Sequence, residues 1–150
     1  MKVLGIYIAT GQLRYAVLEG TKETPSLIAK ERLLTADPAN VVELMAWYES
    51  EFVRLLDTYT PDRIACRLTL EPKKEQLFTS CFPFGILYLM ARHRKIPVSS
   101  YVPQNYVASR LGLPKGTDIY AHCDYVLGSH PPYWDNSQKH AVLAAWFALE

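Results

Sequence analysis

Residues 2 to 8, KVLGIYI, alternate so that Val3, Gly5 and Tyr7 share one face and Leu4, Ile6 and Ile8 the other, which is the period of a β-strand. Thr10-Gly11-Gln12 supplies a turn and a second such run follows from about Leu13 to Glu19, so the chain opens with a hairpin. Gly20 to Pro25 turns again before Ser26 to Leu34, a third β-compatible run. At Asp37-Pro38 the period changes, with Asp as N-cap and Pro at the first helical position. Val41, Met45, Tyr48, Phe52, Leu55, Leu56 and Tyr59 then recur every three or four residues, predicting a helix of about six turns that ends at Thr60-Pro61-Asp62.

RIACRLTL, residues 63 to 70, is short and rich in apolar residues, as expected of a strand buried on both faces and reached by a helical crossover. Residues 74 to 94 predict a second helix, broken or kinked early by Pro83 and Gly85. A strand over Val98 to Val102, a short amphipathic helix from Pro103 to Leu111, and a helix capped by Thr117 and running to about Leu127 come next. After the loop GSHPPYWDN the chain closes with a helix over Asn136 to Leu149, whose Ala141, Ala144, Ala145 and Ala148 allow close packing on a sheet. There is no internal repeat or low-complexity tract. A meander followed by right-handed crossovers predicts one α/β domain over residues 1–150, a mixed five-stranded sheet with helices on both faces.

The 150 residues are 49% hydrophobic, enough for one core without a second domain. No apolar run reaches the roughly 18 residues of a membrane span, and Met1-Lys2 leads straight into the strand pattern without a signal-peptide core, so a soluble cytoplasmic protein is expected. Cys66, Cys81 and Cys123 are odd in number and far apart, which points to buried free thiols. The formal net charge of +1, with both signs scattered, provides no long-range field to recruit nucleic acid. The densest basic stretch, Arg92-His93-Arg94-Lys95, falls at a helix end where cations complement the dipole.

Four stretches resemble the RNase H-like fold and, within it, the RuvC-like Holliday-junction resolvases. VLGIYIATGQLRYAVLEG is similar to the opening hairpin, PDRIACRL to the fourth strand, VSSYVPQNYVASRLGLPKGTDIYAHCDYVL to the fifth strand and following helices, and WDNSQKHAVLAAWFAL to the closing helix. The resemblance implies a nuclease whose carboxylates, from the first strand, the fourth strand and the last helix, hold two divalent cations. It puts the first acid at Tyr7, the fourth-strand glutamate at Arg67, and the last-helix acids at Asp135 and at Gln138 or Lys139. A phenol is neutral at physiological pH and has one oxygen, so it cannot replace a bridging carboxylate on Mg²⁺. A guanidinium is a permanent cation and repels the metal. The chain thus looks like a degenerate member, similar also to a group of short bacterial proteins of unknown function that carry Arg-Glu-Arg at the end of the fourth strand.

Two readings of the altered site follow. In the structural one, Arg67 pairs with Asp135 and the Tyr7 hydroxyl joins them, an internal counter-charge replacing the metal. In the functional one, Arg67 holds a phosphate or other anion. Glu71 and Glu75, flanking Lys73-Lys74, fit a solvated turn, although Glu71 is a weak candidate metal ligand beside Asp135. Asp118 and Asp124 fit a cap and an exposed helical face. His122, His130 and His140 match no metal-binding spacing. In SHPPYWD, Tyr133 and Trp134 either pack on the core or shape a rim. The expectation is therefore a pseudo-nuclease, a binding or assembly module with no cofactor, a protein or nucleic-acid partner, no membrane association and a possible homodimer. The first alternative is a Mg²⁺- or Mn²⁺-dependent nuclease using ligands such as Glu19, Glu71 and Asp135. The second is a nucleotide- or anion-binding protein centred on Arg67, although IATGQ is no glycine-rich phosphate loop.

Overall fold

A computed structural model describes residues 1–150. The meander is β1 (Lys2–Ala9), β2 (Gln12–Gly20) and β3 (Pro25–Leu34), followed by α1 (Val41–Tyr59) and β4 (Arg63–Arg67). A single turn, α2 (Lys74–Gln76), leads through a π turn at Leu77–Cys81 into α3 (Phe82–His93) and β5 (Val98–Tyr101). Two short 3-10 turns precede α4 (Ile119–Leu127) and α5 (Asn136–Ala148). The five strands lie in the order β3-β2-β1-β4-β5, with β1 antiparallel to β2 and parallel to β4. The mixed sheet expected from the sequence is thus present. No helix is long and apolar enough to cross a membrane.

The alternation in β1 divides two cores. Leu4, Ile6 and Ile8 pack with Tyr48, Phe52 and Leu55 of α1 and Leu87 of α3. On the other face Val3, with Ala16 and Leu18 of β2 and Ala65 of β4, packs under α5. Burying both faces of β1 is what makes the parallel β1–β4 pairing stable enough to carry a site at its carboxyl end.

Several boundaries differ from the sequence reading for local reasons. The α1 cap is Asn40, whose side chain accepts the Glu43 amide, while Asp37 accepts the Ala39 amide in a turn just ahead of the helix. The α4 cap is Asp118, which accepts from Tyr120 and Ala121, because the Thr117 hydroxyl donates to the Pro114 carbonyl at 2.7 Å. No helix spans 103–111: the Asn105 side chain accepts the Val102 amide at 2.9 Å and Val107 is extended, so two 3-10 turns cannot merge. Pro83 lies in the first turn of α3, where its missing N–H costs nothing, and the irregularity sits upstream in the π turn. All three cysteines are free; Cys66 and Cys123 are buried and Cys81 only partly so, since it belongs to that turn.

Candidate functional site

Tyr7 and Arg67 are paired neighbours near the carboxyl ends of β1 and β4, and on its other side Tyr7 pairs with Arg14 of β2. Tyr7, Arg14 and Arg67 all stand on the α5 face, as the alternation with Val3, Ala16 and Ala65 requires. Glycine at position 5 lets α5 come down onto β1: a Cβ there would lie 2.0 Å from the Ala141 carbonyl oxygen and 2.9 Å from the Ala145 Cβ. That close approach brings His140, one residue before Ala141, edge-on to the Tyr7 ring at a centroid distance of 4.8 Å.

Two more rings close the box. The Tyr106 hydroxyl donates to the His140 carbonyl at 2.8 Å, and the Tyr120 hydroxyl hydrogen-bonds His140 Nδ1 at 3.1 Å. Arg67 sits among these rings, its guanidinium carbon 4.9 Å from the centroid of Tyr106 and 5.5 Å from that of Tyr7. Stacking on aromatic faces is the arrangement a weakly hydrated, planar cation favours. The Arg67 Nε is shut off from solvent with no hydrogen-bond partner, and none of the five ion pairs in the protein includes Arg67.

The charges in this corner hold one another in place. Burial, and then the positive charge of Arg67, push the pKa of His140 down to about 4 against a weaker opposite pull from Asp135, so its imidazole is neutral at physiological pH. Burial drives the Tyr106 and Tyr120 phenols up, and Arg67 partly offsets this in both. The box therefore contains one permanent cation, three tyrosines and a neutral imidazole.

The structure corrects the expected Arg67–Asp135 pair. Asp135 is instead held by Arg14, whose Nη1 and Nη2 each donate to a different carboxylate oxygen at 3.1 Å. The same carboxylate caps α5 by accepting the Gln138 amide at 2.9 Å. Burial pushes the Asp135 carboxyl up, but the Gln138 amide and Arg14 outweigh it and leave the pKa below the ordinary value. Gln138 is fully buried and donates to the Tyr15 carbonyl at 2.7 Å, while Lys139 ion-pairs with Asp124 at 2.8 Å. The residue of α5 that faces Tyr7 and Arg67 is His140.

The other sequence candidates do not converge here. Glu71 is exposed in the turn after β4 and Glu75 is exposed in α2. Glu19 pairs with Lys2, at the far end of β1 from Tyr7, so Glu19, Glu71 and Asp135 form no common set. Asp124, expected on an exposed face, holds Lys139 and the Trp134 indole N–H, and chiefly Lys139 draws its pKa down. His122 stacks on Tyr125 and Trp146, and His130 Nε2 lies 2.6 Å from the Leu127 carbonyl. Trp134 packs against the α5-side core as expected, but Tyr133 is exposed with the Arg32 guanidinium 4.5 Å from its ring centroid.

Arg14 and His140 both carry signals in the sequence. Arg14 is a charge at an inward position of an otherwise apolar strand, and such a charge requires a partner. His140 directly precedes the small residue that has to face Gly5.

No three His, Cys, Asp or Glu side chains are grouped so as to hold a metal ion. At the corner where the resemblance places a metal pair, the donors are a phenol, a guanidinium and a neutral imidazole. This set does not fit two divalent cations, which need bridging carboxylates.

No family model and no curated protein sequence matches the chain. Among solved structures it is similar to Thermus thermophilus RuvC in complex with a Holliday junction substrate, with a TM-score of 0.79 at 17% identity over 98% of this chain and 92% of that one. A second structure of Thermus thermophilus RuvC gives 0.77 at 17% identity over the same shares. The yeast mitochondrial Holliday junction resolvase Ydc2 gives 0.65 at 14% identity over 97% and 76%. The fold is accordingly RNase H-like and RuvC-like.

Proposed function

We propose that this chain is a non-cleaving RuvC-like protein that acts as a binding and assembly module. The observation that supports it most is Arg67 standing beside Tyr7 and His140 with no carboxylate among them. A corner built of a guanidinium, phenols and a neutral imidazole lacks the negative charge that two-metal phosphodiester cleavage requires. With Mn²⁺ in a calorimeter the purified protein should show no stoichiometric binding, and with Mg²⁺ or Mn²⁺ it should leave a four-way DNA junction and an RNA–DNA hybrid intact. Metal-dependent cleavage that Asp135→Asn removes would replace this proposal with the nuclease alternative.

The assembly half is supported by an apolar face. Residues 77–90, LFTSCFPFGILYLM, carry no charged side chain, and Leu77, Phe78, Phe82 and Leu89 are all exposed there. Phe78 and Phe82 stack edge to face at 4.9 Å across the junction of the π turn and α3. An uncharged face can meet its own copy without like-charge repulsion, so a second copy of this chain is the partner proposed. Sedimentation at micromolar concentration should give a dimer, and Phe82→Asp a monomer with unchanged far-ultraviolet circular dichroism. A monomeric wild type would remove the assembly half.

A further inference from the structure

We infer that Arg67 is the primary ligand of a site for a phosphate oxyanion, taking up through its own charge the place where the fold otherwise presents acids. The inference rests on the non-cleaving reading above and names the ligand class of that site.

The first ground is the contrast between Arg67 and Arg14. Arg14 is buried and answered by both oxygens of Asp135. Arg67, on the neighbouring side of Tyr7, has no carboxylate, and its Nε, like those of Arg32 and Arg63, has no hydrogen-bond partner. A partly buried guanidinium with unused N–H donors is an incomplete arrangement, since buried polar groups are nearly always hydrogen-bonded. Rings at 4.9 and 5.5 Å offset some of the lost hydration but accept no strong hydrogen bond in the guanidinium plane.

The second ground is geometric. Tyr106 and Tyr7 hold the guanidinium as a planar fork, the form that binds two phosphate oxygens at once. His140, fixed by Tyr120 and kept neutral, adds no competing positive charge, and the one acid near it, Asp135, is answered by Arg14. Tyr106 also lines a groove of about 520 Å³, in which Ser109 and Lys115 offer further donors to the remainder of a phosphorylated ligand.

Inorganic phosphate, titrated into the ¹⁵N-labelled full chain at neutral pH and constant ionic strength, tests this. The Arg67 Nε–H resonance and the His140 ring resonances should shift saturably, with dissociation in the millimolar range. Arg67→Gln should weaken the effect on His140 at least tenfold, and Arg67→Lys should weaken it less, because it keeps the charge but loses the fork. His140 provides a second readout: bound phosphate should raise its titration midpoint, which the groups facing it set, namely Tyr7, Arg67, Tyr106, Tyr120 and Asp135. A short oligothymidylate in place of phosphate separates the sources. Binding at least tenfold tighter per phosphate group assigns the anion to a nucleic-acid backbone, and equal binding assigns it to free phosphate or a small phosphorylated compound. Both results support the site. Shifts that do not saturate, or that Arg67→Gln leaves unchanged, overturn it while leaving the non-cleaving reading untouched, which only metal-dependent cleavage can sink.

Discussion

Gly5→Ala will destabilise the protein by about 3 kcal/mol, the upper part of the range for inserting atoms into a packed interior. The new Cβ would stand 2.0 Å from the backbone oxygen of Ala141 and 2.9 Å from the Ala145 Cβ. Neither neighbour is the free end of a flexible side chain, so relief requires α5 to move off the sheet. Such a movement opens the packing of Val3, Ala16, Ala65 and Val142 and draws His140 away from Tyr7. Urea denaturation followed by circular dichroism measures the loss, with Gly85→Ala as the contrast. Gly85 lies inside α3 with open space where its Cβ would go, so alanine there should be neutral or should stabilise by up to about 1 kcal/mol. Equal effects at the two positions would show that the close approach of α5 to β1 is not the cause.

Asp135→Ala will cost about 3 kcal/mol, through two separate losses. The first is the cap of α5, worth about 1 kcal/mol. The second is the counter-charge of Arg14, which is only 4% exposed and would be left as a buried, unanswered cation. Because the Asp135 carboxylate is itself about half exposed, water can reach the pair, and that places the second loss near about 2 kcal/mol, below the range for a fully buried pair. Asp135→Asn retains an oxygen for the Gln138 amide and should cost less. Arg14→Met combined with Asp135→Asn should recover most of the loss, since removing both charges is far less damaging than removing one. The pH dependence has the sign of a depressed carboxylate: the contribution is complete above the ordinary aspartate range and disappears as pH falls through the lowered folded value. Chemical denaturation at several pH values checks the ordering of the three variants, and failure of the double variant to recover stability would refute the pairing argument.

Local signals in the sequence carried the architecture a long way. The split of β1 into Val3, Gly5 and Tyr7 against Leu4, Ile6 and Ile8 matches the two cores it separates, and the α1 stripe ends at Thr60, a left-handed residue that closes the helix. Asp37 and Thr117 are both cap residues by type, but the cap falls elsewhere because each side chain is already engaged in a turn. Tyr7 and Arg67, which the resemblance places at the ends of the first and fourth strands, are paired neighbours in the sheet. The partner of Asp135 is decided by the inward direction of Arg14, a buried charge on an otherwise apolar strand. The place of His140 has no local periodic signature for a related reason: which residue of α5 faces the sheet depends on helix rotation, and that rotation follows the close contact at Gly5.

The order of the strands also has a kinetic meaning. The β1–β2 hairpin closes through a short turn, whereas β1 meets β4 across the long α1 crossover, and long-range pairing of this kind is intrinsically slow. Tyr7 arrives with the early hairpin, Arg67 with the late strand, and Tyr106, Tyr120 and His140 from segments that follow it in the chain. The box draws on β1, β4 and three later segments, so it is complete only when all of them have docked. Binding at this corner would therefore stabilise the state in which all of these segments are docked together.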